Sequence, residues 1–492
     1  MARKKPAAVK PSDVLSIAVT FRRPSDNLGL TKFAGRLSAE AVSTFRPEPD
    51  HISQAINALQ QQGFTVTGRG AMTLSMRGSR ADFERVFGTK LVERTLEVYQ
   101  GMPSAKIFFA PPDTAAWNPS PQLTDLIDDA YIQWPHIYMS ERFPATGPSL
   151  YPPRVNYHHL RVPGDVVATL NVARVHRQGC TGRGVRVVMM DSGFAHSHPY
   201  FRENGYNTSV ALAPGAAHDD RDGNGHGTGE SANLLAIAPD VTFIGVKLDN
   251  EDTGGGASLL EGFQEAMQHN PQVISVSLGY DLVQPGPARK HLTTLPNSLK
   301  GLEAEIQAAV AAGVVVVFSA GNGHVSFPGM MPEVISAGGV YVDEKGGTFA
   351  STYASAFSSK IYSGRNVPDC CGLVGLAANH ADYIMLPIEP NCEIDRAVGA
   401  HDGTAVDDGW GVFSGTSAAA PQLAGVCALL LQKRPSLTPA EIKSILRRTA
   451  ADVDQGSANA ASNGGTALTA TPADDGATGA GLVDAFAAWQ QA

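Results

Sequence analysis

The chain has 492 residues, 43% hydrophobic and 17% charged, with a formal charge of −9. This is the composition of a soluble globular protein able to bury a sizeable core in one very large domain or two to three ordinary ones. The acidic balance argues against nucleic acid as a principal partner, and five cysteines, an odd count spread over a long chain, exclude a dense disulfide framework.

The N-terminus, Met1-Ala2-Arg3-Lys4-Lys5, is basic but is followed by Pro11-Ser12-Asp13 instead of an apolar run, so no secretory signal is expected. No stretch reaches membrane-spanning length; the apolar run from Ala418 to Leu431 is too short and contains Pro421 and Gln422. The expectation is a cytoplasmic protein without a membrane partner, with non-standard export as the alternative. Among Cys180, Cys370, Cys371, Cys392 and Cys427 no zinc-type CxxC pair occurs. Free thiols in a reducing compartment are favoured, with one bridge or a metal near Cys370, Cys371 and Cys392 as the alternative.

Val14 to Phe21 reads as the first strand. Asp50 is placed to cap a helix that carries Ile52, Ile56 and Leu59 on one face and stops at Gly63. Phe64 to Thr67 and Thr73 to Met76 read as paired strands, Ser79 as the cap of a short helix with Phe83 and Phe87, and Lys106 to Phe109 as a closing strand. This β-α-β-β-α-β order is that of a ferredoxin-like unit, assigned to residues 1–134. Residues 135–163, interrupted by Pro144, Pro148, Pro152 and Pro153, read as a linker or a wrapping surface loop.

From residue 164 to the end, strands and helices alternate. Val185 to Met190, Val241 to Val246, Val273 to Val276 and Val314 to Phe318 are nearly continuous apolar runs, as buried parallel strands require. Helical stretches lie between them, notably Gly262 to His269 and Leu302 to Ala312. The predicted class is α/β, a doubly wound parallel sheet preceded by a smaller α+β domain. Ala451 to Ala477, rich in Gly, Ala, Ser and Thr, reads as a flexible surface loop.

In such sheets the site forms beyond the carboxyl ends of the strands. Asp191-Ser192-Gly193, Ser277-Leu278-Gly279 and Ala320-Gly321-Asn322 each follow a predicted strand. His226 and Ser417 each open a predicted helix, where unpaired backbone N–H groups favour negative charge. Taken singly, Asp-Ser-Gly is an ordinary turn, His-Gly-Thr an ordinary cap and Gly-Thr-Ser low-information sequence. Together, in order, they supply an orienting acid, a base and a nucleophile.

The segment from Ile56 to Leu91, with Gln62-Gly63-Phe64-Thr65-Val66 and Phe87-Gly88-Thr89, resembles the activation prodomain of sedolisin-type proteases; a generic small α+β domain is the other reading. Residues 184–485 resemble the subtilisin-like serine protease family. The resemblance rests on Gly184-Val185, Asp191-Ser192-Gly193, Asn224-Gly225-His226-Gly227-Thr228, Ser277-Leu278-Gly279 and Ser319-Ala320-Gly321-Asn322-Gly323. Ser414-Gly415-Thr416-Ser417-Ala418-Ala419-Ala420-Pro421 and Gly479-Ala480-Gly481-Leu482-Val483-Asp484-Ala485 complete it. It implies a serine endopeptidase of peptidase S8 type, a zymogen whose N-terminal domain packs its sheet on the catalytic domain while the linker shields the cleft. Asp191 would orient His226, His226 would act as general base, Ser417 as nucleophile and Asn322 as oxyanion donor. Ser277, Leu278 and Gly279 would pair with substrate backbone, and Ala320 and Gly321 would line the side-chain pocket. Partners implied are a protein or peptide substrate and the intramolecular prodomain. No cofactor is required; structural calcium is common in the family but maps to no residue here.

Three departures stand out. Glu230 sits one helical turn after His226, where the family usually has an apolar or small residue. A solvated glutamate is the favoured reading, and a side chain facing His226 and raising its pKa is the alternative. The Gly323 to Phe327 segment is short. Cys370 to Val412 is an insertion whose His401, Asp402, Asp407 and Asp408 read as a solvated loop, with a cation site as the alternative. Sedolisins, which replace the histidine base with glutamate and the oxyanion amide with aspartate, are the nearest rival family. A catalytically silent scaffold and a dedicated intracellular processing protease are the competing functions.

Overall fold

Val187, Val188, Met189 and Met190 are all fully buried, so the strand Arg186–Asp191 has apolar neighbours on both faces, as a central parallel strand does. The structure, a computed structural model, describes residues 13–33, 37–97, 105–112, 119–138, 159–284, 289–376, 383–398, 405 and 407–492. It comprises two compact units. The smaller is Met1–Ile137 with Ala257–Glu265 and Leu295–Ala312; the larger is Tyr138–Gly256, Ala266–Thr294 and Gly313–Ala492.

In the larger unit Arg186–Asp191 has Thr242–Lys247 on one side and Val273–Val276 on the other, all parallel. Thr208–Leu212 continues the sheet beyond Thr242–Lys247. Val315–Ser319, Ile335–Val342 and Cys370–Leu373 continue it beyond Val273–Val276. Thr348–Ala350 adds an antiparallel strand against Ile335–Val342. The first strand in sequence is therefore the one where the order reverses, the topological switch point of a doubly wound sheet. Asp191 is its last residue.

Four of these strands fall on the apolar runs read from the sequence, within a residue of the predicted ends. Thr208–Leu212 has no such run because it is an edge strand with half-buried and exposed side chains. Ile335–Val342 is interrupted by Gly338 and Gly339, and Cys370–Leu373 lies inside the presumed insertion. That insertion is thus partly core. All five cysteines are buried free thiols, and burial pushes the Cys370 thiol up to about 12.

Residues 451–477 are ordered, contrary to the expectation of a flexible loop. Ala350 N–H donates to Gln455 O at 2.8 Å and Asn459 N–H to Ala354 O at 2.8 Å. Small side chains permit this: a Cβ on Gly456 would lie 2.6 Å from Ala350 O. Ala350, Ala356, Ala458, Ala470 and Ala477 form a buried cluster beneath. Among the described residues no helix is long and apolar enough to cross a membrane.

In the smaller unit an antiparallel sheet runs in the order Thr65–Arg69, Thr73–Ser79, Val14–Thr20, Asp129–Ile132. Asp129–Ile132, and not the predicted Lys106 to Phe109, closes it; Ala105–Ala110 pairs with Val92–Glu97 in a separate hairpin. The closing strand is only four residues long and carries Asp129 and Tyr131, so its alternation is too short to stand out. One face of the sheet, with Leu15, Ile17, Val19, Leu74 and Met76, packs with Ile52, Leu59, Phe83 and Phe87 of the helices Pro49–Gln61 and Arg80–Phe87. Ser79 caps the second helix as predicted, accepting from Asp82 N at 3.0 Å. The first begins at Pro49, which puts Asp50 in its first turn.

The other face carries small and polar residues, Ala18, Thr20, Thr73 and Ser75, which are nevertheless buried. The helices Leu259–Gln268 and Asn297–Ala311 approach it closely. A Cβ on Gly301 would lie 3.2 Å from Thr73 Cγ2. The buried Glu305 carboxylate accepts from the N–H groups of Ala71, Met72 and Thr73 at 3.0, 2.9 and 2.8 Å and from Thr73 Oγ1 at 2.7 Å. Burial pushes this carboxyl upward against those donors. Thr67 Oγ1 donates to Glu261 at 2.7 Å, and Gln264 donates to Thr73 Oγ1 at 2.9 Å.

Candidate active site

The larger unit brings Asp191 and His226 into direct contact. His226 is the first residue of the helix His226–Ile237, whose N-cap Gly225 has a φ of +94°. Nδ1 of His226 lies 2.7 Å from Asp191 Oδ1, which also accepts the Ser192 N–H at 2.8 Å. An acceptor at Nδ1 fixes the proton there and makes Nε2 the basic nitrogen. Gly227 is needed for this approach: a Cβ there would lie 2.7 Å from Asp191 Cβ and closer still to Gly193 O. Burial disfavours the charge on the imidazole, but Asp191, Glu230 and Asp222 outweigh it and hold its pKa above the ordinary value.

Asp222, which the sequence reading did not single out, holds the turn before the histidine. Its fully buried carboxylate accepts from Ser192 Oγ at 2.9 Å, Gly225 N at 2.9 Å, Thr228 N at 2.8 Å and Thr228 Oγ1 at 2.7 Å. It thus caps the helix and ties it to the Asp191 turn. An aspartate four residues before a histidine that opens a helix was the available signal.

Ser417 is the second residue of the helix Thr416–Lys433, buried on all sides through Leu431. Gly415 before it has a φ of +98°, which glycine alone adopts at low cost. Pro421 lies inside this helix and cannot donate to the carbonyl four residues back, that of Ser417. Ser277 Oγ supplies the donor instead, at 3.0 Å from Ser417 O. In return Ser417 Oγ donates to Ser277 O at 3.4 Å, a long bond. The helices that carry His226 and Ser417 pack along one another, with Gly425 close to Ile237. The Phe413 ring, four residues before Ser417, lies 6.4 Å from the ring of His226.

Asn322 is buried next to the serine loop. Its Oδ1 accepts from Thr416 N at 2.8 Å and Thr416 Oγ1 at 3.1 Å. These two bonds fix which end of the amide is the donor. Nδ2 is buried without a hydrogen-bond partner among the described residues. A Cβ on Gly415 would lie 2.6 Å from Nδ2, so only glycine leaves that amide its place. Gly321 N–H donates to Thr416 Oγ1 at 3.0 Å, and the buried Ala320 bonds Ala337 O at 2.9 Å. Leu278 and Gly279 begin the short strand Leu278–Asp281, which pairs antiparallel with Ser326–Phe327.

Glu230 is fully buried, which overturns the solvated reading. Of the insertion residues, His401 and Asp402 lie outside the described residues. Asp408 accepts from Ala405 N and Trp410 N in an exposed turn. Among the described residues no group of three or more His, Cys, Asp or Glu side chains is placed to hold a metal ion.

A profile of the subtilase family matches residues 182–480, more than half of the chain. Subtilisin E of Bacillus subtilis (strain 168) is 27% identical over 301 residues, 58% of this chain and 65% of that protein. Serine protease AprX of the same organism is 30% identical over 297 residues, 55% of this chain and 62% of that protein. The matches thus span under two thirds of these relatives' length. Among solved structures, fervidolysin from Fervidobacterium pennivorans, a keratinolytic enzyme related to subtilisin, superposes with a TM-score of 0.55 at 16% identity. That likeness, of fold alone, covers 97% of this chain and 61% of the other.

Proposed function

We propose that this chain, which belongs to the subtilase family, is a serine endopeptidase made as a zymogen. One joint observation carries the reading. Asp191 holds Nδ1 of His226, while Asn322, locked by Thr416, keeps a buried amide donor in reserve beside the turn that precedes Ser417. A buried donor without an acceptor costs stability; a transient oxyanion gives it a purpose.

In this reading Nε2 of His226 takes the Ser417 hydroxyl proton as Oγ attacks the scissile carbonyl carbon. The oxyanion of the tetrahedral intermediate receives hydrogen bonds from Asn322 Nδ2 and the Ser417 N–H at the helix start. Its collapse breaks the C–N bond, and the imidazolium gives its proton to the leaving amine. Water then attacks the acyl-enzyme by the same route in reverse, with Asp191 holding Nδ1 of His226 throughout. An extended protein or peptide substrate pairs with Ser277, Leu278 and Gly279, and Ala320 and Gly321 line the pocket for the side chain before the cut. The chemistry draws on no cofactor.

Residues 1–134 act as the prodomain, 135–163 as linker and 164–492 as the peptidase domain, with the likeness to sedolisin activation domains part of the proposal. Support comes from the smaller unit, where Glu261, Gln264 and Glu305, all within the family-matched segment, hold the N-terminal sheet. The cytoplasm is the proposed location.

Ser417→Ala should abolish labelling by a fluorophosphonate probe and turnover of casein. Labelling that survives the substitution refutes the nucleophile. Wild-type protein that neither labels nor turns over casein after removal of residues 1–134 would make the chain a scaffold.

A further inference from the structure

Glu230 lies one turn after His226 on the same helix and is fully buried, as are Asn233 and Gln422. Its Oε2 accepts from Asn233 Nδ2 at 2.9 Å. Asn233 Oδ1 accepts from Gln422 Nε2 at 3.2 Å. Gln422 belongs to the helix that begins at Thr416, five residues beyond Ser417, and it brackets the backbone of Leu373. Its Oε1 accepts from Leu373 N at 2.7 Å and its Nε2 donates to Leu373 O at 3.2 Å. A chain of side-chain amides thus runs from the serine helix, across the helix interface, to a carboxyl group beside the histidine. Glu230 Oε1 has no hydrogen-bond partner among the described residues. A single donor is poor compensation for a dry carboxylate, so the group is held here at a cost that packing alone does not explain.

We propose that Glu230 is a positioning residue of the peptidase site, setting the proton affinity of His226 and anchored to the serine helix through Asn233 and Gln422. The proposal rests on the peptidase reading. Burial raises the Glu230 carboxyl to about 8, outweighing the charge of His226 and the Asn233 bond, which pull it down. In turn its negative charge is one of the three that favour imidazolium. The other two are Asp191 at the strand end and Asp222 in the turn before the helix. From the packed elements, His196 meets the helix through Ser231 and is kept neutral by burial. The helix Gly164–Thr169 contributes an exposed Asp165, and the serine helix contributes the uncharged Ser417, Gln422 and Cys427. Glu230 is therefore the one ionisable group besides His226 on the histidine's own helix, one turn from the ring. Ionised, it moves the onset of free-base imidazole to higher pH.

The test is the pH profile of kcat/KM on one peptide, with fluorophosphonate labelling rates in parallel, for full-length wild type, Glu230→Gln, Asn233→Ala and the double variant. Glu230→Gln keeps an acceptor for Asn233 and removes the charge. Its acid limb should move to lower pH by about one unit, the shift expected from losing one nearby opposite charge. Asn233→Ala withdraws the donor that favours ionised Glu230, so its limb should move the same way. The double variant should move no further than Glu230→Gln alone. An unmoved acid limb in a labelling-competent Glu230→Gln protein overturns the proposal, and so do shifts that add in the double variant. Should Glu230→Gln fail to fold, the limb of Asn233→Ala decides by itself. Absence of labelling in wild type, by contrast, is failure of the peptidase reading.

Discussion

Asn322→Ala separates a catalytic donor from a structural one. The amide has two ends with different work. Its Oδ1 satisfies the buried N–H and hydroxyl of Thr416 at 2.8 and 3.1 Å, and its Nδ2 has no acceptor among the described residues. Removing the side chain leaves the buried N–H and hydroxyl of Thr416 to re-satisfy, a cost of about 1–3 kcal/mol in stability once the hydroxyl reorients. It also removes one donor from the oxyanion, which costs about 3 kcal/mol of transition-state stabilisation. At about 1.4 kcal/mol per decade, that is a fall in kcat of about 10²-fold to 10³-fold. The ground-state substrate places no oxyanion on Nδ2, so KM should change little. The assay is steady-state hydrolysis of a chromogenic peptide, with thermal unfolding of the same protein measured alongside. Asn322→Asp is the sharper companion. It keeps an acceptor for Thr416 and so most of the stability, but it turns the donor into a negative oxygen and should be at least as inactive. If Asn322→Ala keeps kcat within threefold of wild type, the amide is a structural tie for Thr416 and the oxyanion assignment is wrong.

Two further outcomes follow from the smaller unit. Glu305→Ala strips four hydrogen bonds and leaves three consecutive backbone N–H groups, those of residues 71–73, without their acceptor. With partial relaxation the loss should reach about 3–5 kcal/mol, read by denaturant unfolding in a Ser417→Ala background, and a loss under about 1 kcal/mol would mean that Glu305 does not hold the sheet. Asp129 is the pH case: burial raises its carboxyl from 3.8 to about 6 despite a bond from Tyr131. The folded state therefore holds this proton where the unfolded chain has released it, and stability falls as pH rises from about 4 to 6. Asp129→Asn should then be more stable than wild type at pH 8 and no more stable at pH 4; equal stability at both pH values would contradict the raised carboxyl.

Whatever depends on nearest neighbours along the chain was legible in the sequence. The central strands are unbroken apolar runs because both their faces are covered. The motifs around Asp191, His226 and Ser417 are recognisable because glycine must flank each one. Gly227 lets the histidine helix reach Asp191, and Gly415 leaves room for the Asn322 amide. Edges and small-residue packing were harder. Thr208–Leu212 and Asp129–Ile132 owe their strand character to partners distant in sequence, and the alanine-rich segment 451–477 owes its order to the close approach that small side chains allow.

The sequence by itself determined the types of chemical group present, their order and their placement at the ends of strands and helices. Only the tertiary structure decided their surroundings. Glu230 reads as a surface residue, because charged side chains usually are. Its burial comes from the serine helix, nearly two hundred residues away in the chain, which shuts out water and offers Gln422 through Asn233. Solvent exclusion is a property of what packs against a residue and not of the residue itself. The same residue type can therefore be a solvated charge in one fold and a buried neighbour of a histidine in another.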